Sequence, residues 1–340
     1  VNLAGGGATY AAAGVDVEAG DRAVAMMRAA VEATHGPRVL GGVGGFAGLW
    51  AFEPGRWREP VLATAADGVG TKLLVAEALD RHDTVGLDLV AMVVDDLVVA
   101  GAEPLFLLDY LAVGRLDPER VAAIVGGVAE GCRLAGCALL GGETAEHPGA
   151  MEPDAYDLAG FAVGVAERDR LLGPERVRPG DVLLAMASTG LHANGFSLVR
   201  HVLFQAGVGY DQVLPELGRP LGEALLTPTR IYAPDVLELL AAGVELHALC
   251  HVTGGGLPGN LPRSLPPGLA ARVDWASWEP PLIFRIVQDL GRVADTEMAR
   301  ATNLGVGMVG VLPAGSAAVA VELLAGRGVD AWVMGEVVPA

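Results

Sequence analysis

The sequence predicts an α/β (α+β) protein of two domains, on three observations. Segments of strand and helix character alternate from residue 60 to the end. Of 340 residues, 52% are hydrophobic and 19% charged, which supplies apolar material for two ordinary cores and excludes a disordered chain. The interval 167–180 is charged and carries two prolines and two glycines. A boundary near residue 170 follows, dividing the chain into 1–169 and 170–340.

In the first half, 60–66 has the character of a short buried strand. Residues 84–100 have the length and pattern of a helix, with Asp83 or Thr84 at its N-cap. A long apolar strand is expected over 104–113. Asp117, Pro118 and Glu119 then supply a capping acceptor, a proline at the first helical position and a carboxylate at the positive dipole end. That helix should run to about residue 135, with strands at 138–140 and 157–166. The second half predicts a strand at 181–187, a loop, and helices over 195–206, 221–227 and 232–242. A strand at 246–252 precedes a Gly/Pro-rich stretch, 253–268. Helix 281–290, strand 305–312, helix 315–325 and strand 329–337 complete it.

Composition narrows the function classes. Twenty-three basic against 41 acidic residues leave a formal charge of −18, which argues against nucleic-acid binding and against a polybasic membrane surface. Mean hydropathy is high at +0.43. The most apolar stretch, 87–114, is nevertheless interrupted by Asp88, Asp95, Asp96, Glu103 and Asp109, too many carboxylates for a spanning helix. Residues 1–10 lack a basic region followed by an apolar core, so no signal peptide is expected. Three cysteines, Cys132, Cys137 and Cys250, fit a reduced compartment; a soluble cytoplasmic protein is the expectation.

Among the basic residues only Lys72 is a lysine, and asparagine occurs only at positions 2, 194, 260 and 303. Under a bias this strong, as a GC-rich coding background would impose, a surviving lysine or asparagine marks a place where arginine or aspartate would fail. Lys72 closes Asp67-Gly68-Val69-Gly70-Thr71-Lys72, which follows a strand and precedes a helix-like run. Glycine backbone can approach an anion closely, a lysine offers phosphate a point charge, and a neighbouring aspartate suits Mg²⁺. The order Thr-Lys reverses the end of a Walker A loop. An ordinary glycine turn is the competing explanation.

Asp88, Asp95 and Asp96 lie on the helix expected over 84–100, with Asp88 and Asp95 two turns apart on one face. Their neighbours are almost all apolar, so the helix should be buried and its carboxylates must find a cation or donors. Asp96, and with less support Asp95, is expected to face a metal. Gly141-Gly142-Glu143-Thr144-Ala145-Glu146 follows a strand, where ligands bind in α/β sheets, and makes Glu143 a second Mg²⁺ candidate or part of a plain turn. Ser188 to Gly195 gathers hydroxyls, His192 and Asn194 before a helix, suiting an anion, an N-cap or both. His247 and His251 sit on one strand, roughly 13 Å apart at 3.3 Å per residue, too far to share an ion. His251 with Thr253, Gly254, Gly255 and Gly256 forms a plausible substrate or phosphate loop. Two formal G-x-G-x-x-G matches, from Gly254 and from Gly305, lack the strand–helix context of a dinucleotide site.

Taken together, these segments resemble the phosphoribosylformylglycinamidine cyclo-ligase (aminoimidazole ribonucleotide synthetase) family. The resemblance runs from Tyr10-Ala11-Ala12-Ala13-Gly14-Val15-Asp16 to Asn303-Leu304-Gly305-Val306-Gly307-Met308. It includes Asp67 to Lys72, His82 to Met92, Gly101 to Phe106, Gly141 to Glu146, His192 to Leu198, Leu226 to Tyr232 and His251 to Gly256. It implies a two-domain fold whose N-terminal sheets pair across a homodimer, with 1–169 binding ATP and Mg²⁺ and 170–340 completing the active site. It implies ATP-dependent closure of formylglycinamidine ribonucleotide to 5-aminoimidazole ribonucleotide, through phosphorylation of the formyl oxygen and attack by the amidine nitrogen. Phosphoryl transfer needs positioning and charge neutralisation more than a covalent nucleophile.

On that pattern Asp67, Asp96, Glu143 and Asp95 are the metal candidates, and Asp67, Gly68, Val69, Gly70, Thr71 and Lys72 the nucleotide site. His192, Asn194, Thr253, Gly254, Gly255 and Gly256 would meet the substrate; Lys72, His192 and His251 are the catalytic candidates. The chain departs from the family at Asp95, where asparagine is usual, and at Ala66, Thr302 and Leu304. A selenophosphate synthetase would need an N-terminal cysteine beside a lysine, and nothing before Cys132 qualifies. A thiamin-monophosphate kinase would lack His192-Ala193-Asn194-Gly195. A noncatalytic ATP-binding subunit would have no need of Asp67, Lys72, Asp96 and Glu143.

Overall fold

The computed structural model describes residue 10 and residues 13–340. The signal-peptide reading of 1–10, apart from Tyr10, and Ala11 and Ala12 of the first family motif lie outside the described residues. The first half contains α1 (Val17–Glu32), β1 (Val39–Leu40), β2 (Leu49–Trp50), β3 (Pro60–Gly68), α2 (Leu73–Leu79), α3 (Val85–Val99), β4 (Glu103–Val113), α4 (Pro118–Ala135), β5 (Ala138–Glu146) and β6 (Tyr156–Glu167). The second contains β7 (Val182–Ala187), α5 (Phe196–Ala206), α6 (Leu221–Leu225), α7 (Ala233–Ala241), β8 (Ala248–His251), α8 (Gly256–Asn260), β9 (Leu269–Val273), α9 (Leu282–Gly291), α10 (Asp295–Ala301), β10 (Val306–Leu312), α11 (Ala317–Gly326) and β11 (Ala331–Pro339).

Strands β3-β6-β4-β5 form one sheet and β8-β10-β7-β11-β9 another; β1 and β2 pair separately. Only β4 and β5 run parallel, joined by the crossover helix α4, so the architecture is the α+β form of the expected class. No helix among the described residues is long and apolar enough to cross a membrane.

Helix α3 occupies the centre. Every residue in it except Leu87, Asp96 and Val99 is buried. One face lies on the first sheet, where a side chain added at Gly160 would meet Leu89 and Val93. Another meets α4 at glycines. A Cβ at Gly86 would fall against the Val128 nitrogen, the Gly127 carbonyl carbon at 2.5 Å and the Ile124 oxygen at 2.6 Å. Helix α4 begins as its sequence requires: Asp117 Oδ1 accepts from the Arg120 N–H at 3.0 Å, and Pro118 follows.

Two expectations need correction. Gly141 to Glu146 is not a loop but the continuation of β5; a Cβ at Gly142 would collide with the Asp109 carboxylate, so glycine there makes room for a neighbour. The structure also adds α1, β1, β2, α8, β9 and α10, of which β9 and α10 carry little pattern. All five residues of β9 are partly exposed or exposed, and α10 buries only Met298.

Two predictions follow from this packing. Gly86→Ala should destabilise the fold by roughly 1–3 kcal/mol in denaturant unfolding, because the obstructing atoms are backbone. Asp109 faces the core with Leu107 and Leu111, and burial pushes its carboxyl up to about 7. Its folded pKa exceeds the unfolded value of 3.8, so its contribution is most favourable below pH 3.8 and is lost as pH rises towards 7. Asp109→Asn should therefore gain on the parent between pH 4 and pH 8, by on the order of 2–4 kcal/mol in paired unfolding curves.

Candidate active site

The two buried carboxylates of α3 organise the site. Asp88 Oδ1 accepts from Lys72 Nζ at 2.8 Å, from the Thr229 N–H at 2.8 Å and from Thr229 Oγ1 at 2.6 Å. Asp95 Oδ1, two turns on, accepts from the Tyr232 and Ala233 N–H groups at 2.9 and 2.8 Å, at the start of α7. Burial pushes the Asp95 carboxyl up to about 7, against the opposing pull of His251 and these two bonds. The donors that an apolar helix must find for its carboxylates thus come largely from the second half of the chain. Asp95 Oδ1 is taken up by this contact, while its Oδ2 is buried without a partner among the described residues, within the electrostatic reach of His251 and Asp96.

Lys72 is placed unexpectedly. It is fully buried, and beyond Asp88 its Nζ donates to the His192 oxygen at 3.0 Å and the Thr227 oxygen at 2.8 Å. Burial pulls its pKa down, with Asp88 opposing, yet all three partners are acceptors, so the ammonium is the form that fits. No donor remains for a phosphate. The expected phosphate contact of Lys72 is corrected on that ground: the side chain points into the protein. Breaking such a pair by removing one partner costs about 3–5 kcal/mol.

The other end of the same turn faces solvent. Asp67, at the end of β3, accepts from the Gly68 N–H at 2.7 Å, and the Val69 N–H is held by the Leu158 oxygen. Gly68 and Val69 are thereby engaged within the chain; Gly70, at φ +71°, is exposed, and Thr71 Oγ1 lies 3.0 Å from Ser197 Oγ of α5. Burial raises the Asp67 carboxyl above its ordinary range; the Gly68 bond opposes this and the Asp96 charge adds to it. Asp96 is exposed and lies 2.9 Å from His251 Nδ1. Burial would lower the His251 pKa, but the Asp96 bond and the charges of Asp95, Asp96 and Asp67 outweigh it and leave it raised. His251 Nε2 is buried without a partner among the described residues.

Asp67 and Asp96 suit a divalent cation, since each adds to the negative charge that the other must bear, with His251 and the Gly68 N–H opposing it. Glu143 does not join them. Asp67 lies in register with Gly160, Asp109 and Gly142, which puts β5 three strand spacings away, about 14 Å. Glu143 pairs with Tyr110 on the exposed face of the sheet, whereas Asp67 is on the α3 side. Among the described residues no group of three His, Cys, Asp or Glu side chains converges at metal-binding spacing. Mg²⁺ commonly takes one or two carboxylates and completes its shell with phosphates and water, which is what Asp67 and Asp96 can offer.

The second half contributes two loops. His192 is buried at φ +61°, and its Nε2 accepts from the Thr189 N–H at 3.2 Å, placing the ring proton on Nδ1. Burial, helped by His251, Lys72 and Arg230, holds its pKa well below the ordinary value, which favours the neutral ring. Asn194 Oδ1 would be 3.7 Å from a Cβ at Gly254, so the loops holding Asn194 and Thr253-Gly254-Gly255-Gly256 adjoin. Gly254 and Gly255 are exposed, while Gly256, at φ +58°, packs on the Ala299 oxygen.

Sequence reasoning missed what shapes these loops. Asn260 Nδ2 donates to the oxygens of Thr253, Gly254 and Gly256 at 3.3, 3.1 and 3.0 Å. Asn303 donates to the Gly190 oxygen at 3.0 Å and accepts from Ser188 Oγ and the Gly305 N–H. The scarcity of asparagine was the available signal. Thr229 had none.

Fold and site first define a class. Residues 55–166 match the family model "AIR synthase related protein, N-terminal domain", and residues 178–340 the corresponding C-terminal domain. The phosphoribosylformylglycinamidine cyclo-ligase of Sorangium cellulosum (strain So ce56) is 54% identical over 332 residues, 97% of this chain and 95% of that protein. The enzyme of the same name from Geobacillus kaustophilus (strain HTA426) is 51% identical over 96% of this chain and 95% of that protein. The chain belongs to the phosphoribosylformylglycinamidine cyclo-ligase family. Its fold is shared with thiamine-monophosphate kinase from Stenotrophomonas maltophilia K279a, at TM-score 0.68 and 20% identity over 94% of both chains. Hydrogenase maturation protein HypE in complex with ATP aligns at TM-score 0.66 and 17% identity, over 94% of this chain and 87% of that one.

Asparagine at position 95 would keep the oxygen that accepts from Tyr232 and Ala233 and remove a buried charge. Asp95→Asn should unfold at or above the parent temperature, whereas Asp95→Leu, which orphans both N–H groups, should lose about 2–4 kcal/mol.

Proposed function

We propose that this chain closes the imidazole ring of 5-aminoimidazole ribonucleotide from formylglycinamidine ribonucleotide at the expense of ATP, in purine biosynthesis. Family membership supports the reaction, and one observation supports its location. Asp67, Asp96 and His251 converge beside the two loops, 188–195 and 253–256, that the second half contributes. Phosphorylation of the formyl oxygen makes it a leaving group; the amidine nitrogen then forms the new C–N bond, phosphate departs and the nitrogen loses a proton.

The residues divide the work by position. Asp67 and Asp96 would hold Mg²⁺, which neutralises phosphate charge during transfer. Gly70 and Thr71 lie at the solvent side of the turn, where the nucleotide phosphates would approach. His251 is oriented through Nδ1 by Asp96, leaving Nε2 to hold a proton at this edge. His192 stays neutral, with Asn194 and Thr253 to Gly256 beside the substrate. In domain terms, 1–169 carries the nucleotide and metal end and 170–340 completes the site.

A homodimer through the first sheets is supported by the face opposite α3. Leu62, Phe161, Leu108 and Tyr110 are 55%, 51%, 37% and 36% exposed on adjacent strands. Glu143 stands on that same face and would act there, at a second site, rather than with Asp67. Three free, buried cysteines support a reducing, cytoplasmic setting.

The test is a coupled assay with ATP, Mg²⁺ and formylglycinamidine ribonucleotide that follows ADP and aminoimidazole ribonucleotide together. Equimolar products are expected, with turnover reduced at least about a hundredfold in Asp67→Asn and Asp96→Asn. ADP without the imidazole would point to another phosphoryl acceptor, and no ADP to a noncatalytic ATP-binding subunit.

A further inference from the structure

We infer that Lys72 is a positioning residue that sets the backbone of His192 and the 227–229 segment against the Asp67–Asp96 edge, and that it never touches the nucleotide. The inference rests on the placement of His192 at the substrate proposed above. One ammonium, at 0% exposure, joins four separate pieces of the chain. They are the turn that carries Asp67, helix α3 through Asp88, the loop of His192 and the segment leading to Thr229. Its stem also passes the Phe196 ring, with Nζ 5.5 Å from the centroid, at the first residue of α5.

The geometry explains why this one basic residue is lysine. Three acceptors, Asp88 Oδ1 and two carbonyl oxygens, surround a single point in a fully buried space. A tetrahedral ammonium donates in three directions from one atom, whereas a planar guanidinium spreads its donors over a wider fork. Arginine, used at every other basic position, does not fit.

The His192 end matters because of its backbone. A non-glycine residue at φ +61° persists only where its surroundings hold it, and the Lys72 bond to its carbonyl is one such hold. The Thr189 N–H bond to Nε2 then sets the ring. The turn 67–72 therefore acts in two directions. Asp67 faces the Asp96–His251 edge, and Lys72 reaches back to the loop that brings His192.

The test compares Lys72→Met, Lys72→Arg and Thr229→Val in the full chain. Thr229→Val removes one bond to Asp88 from the far side of the lock and leaves the lysine in place. Two readouts are combined: kcat with separate KM values for ATP and formylglycinamidine ribonucleotide, and nitrogen NMR of the histidine rings, with His192→Gln assigning the His192 signals. Positioning predicts that the His192 signals move in all three variants. It also predicts kcat reduced about tenfold or more in Lys72→Met, without rescue by Lys72→Arg, and about threefold in Thr229→Val, with KM for ATP within about twofold. A KM for ATP raised about tenfold in Lys72→Met, with His192 unmoved, would overturn it in favour of a phosphate contact. Unmoved His192 signals in Thr229→Val would also overturn it, and that arm decides if the lysine variants fail to fold. Moved signals with unaltered turnover would uphold the positioning and overturn the placement of His192 at the substrate.

Discussion

Carboxylates inside an apolar helix cannot be left without donors, and that constraint governs how the two halves of this chain meet. Helix α3 is buried against the first sheet and α4, yet carries Asp88 and Asp95 within it. The first sheet offers them no partner. Lys72 and the backbone of 229–233 do, and since 229–233 belongs to the second half, satisfying the carboxylates docks one half on the other. The seven-residue spacing puts both contacts on one face of the helix, so docking is held at two points about 10 Å apart along its axis.

The candidate site is a consequence of that docking. Asp67 ends a strand of the first half, Asp96 is the next residue after the second docking carboxylate, and His251 ends a strand of the second half. With α3 docked on the 229–233 segment, the Asp96 carboxylate lies 2.9 Å from His251 Nδ1. Phosphoryl transfer rewards this construction, since its rate depends on holding phosphates, cation and acceptor in register. The loops at 188–195 and 253–256 are shaped from behind by the side-chain amides of Asn303 and Asn260.

How much of the site was legible can be followed through single residues. The turn 67–72, the loops at 192–195 and 253–256, and Asp96 stand out as glycine-rich or charged segments at the ends of apolar ones, and local pattern suffices to find them. The direction of a side chain is another matter. Asp95 and Asp96 are adjacent and chemically identical, but about 100° of helical rotation sends one into α7 and the other to the edge. Glu143 looks like a loop carboxylate because two glycines precede it; the second of them, Gly142, makes room for Asp109, and the strand continues through both. The rarity of lysine singled out Lys72 but suggested an exposed phosphate contact, whereas the side chain is fully buried, because composition carries no information about burial.

By itself the sequence determined the α+β organisation, most of the strands and helices, and the family, since these depend on periodicity, caps and short motifs within a few residues of each other. Tertiary structure alone decided the partners of the buried polar groups. Lys72 meets Asp88, His192 and Thr227 across separations of 16, 120 and 155 residues. No local rule specifies such meetings. They are settled when the helix that buries its carboxylates must find, elsewhere in the chain, the donors that its own neighbours lack.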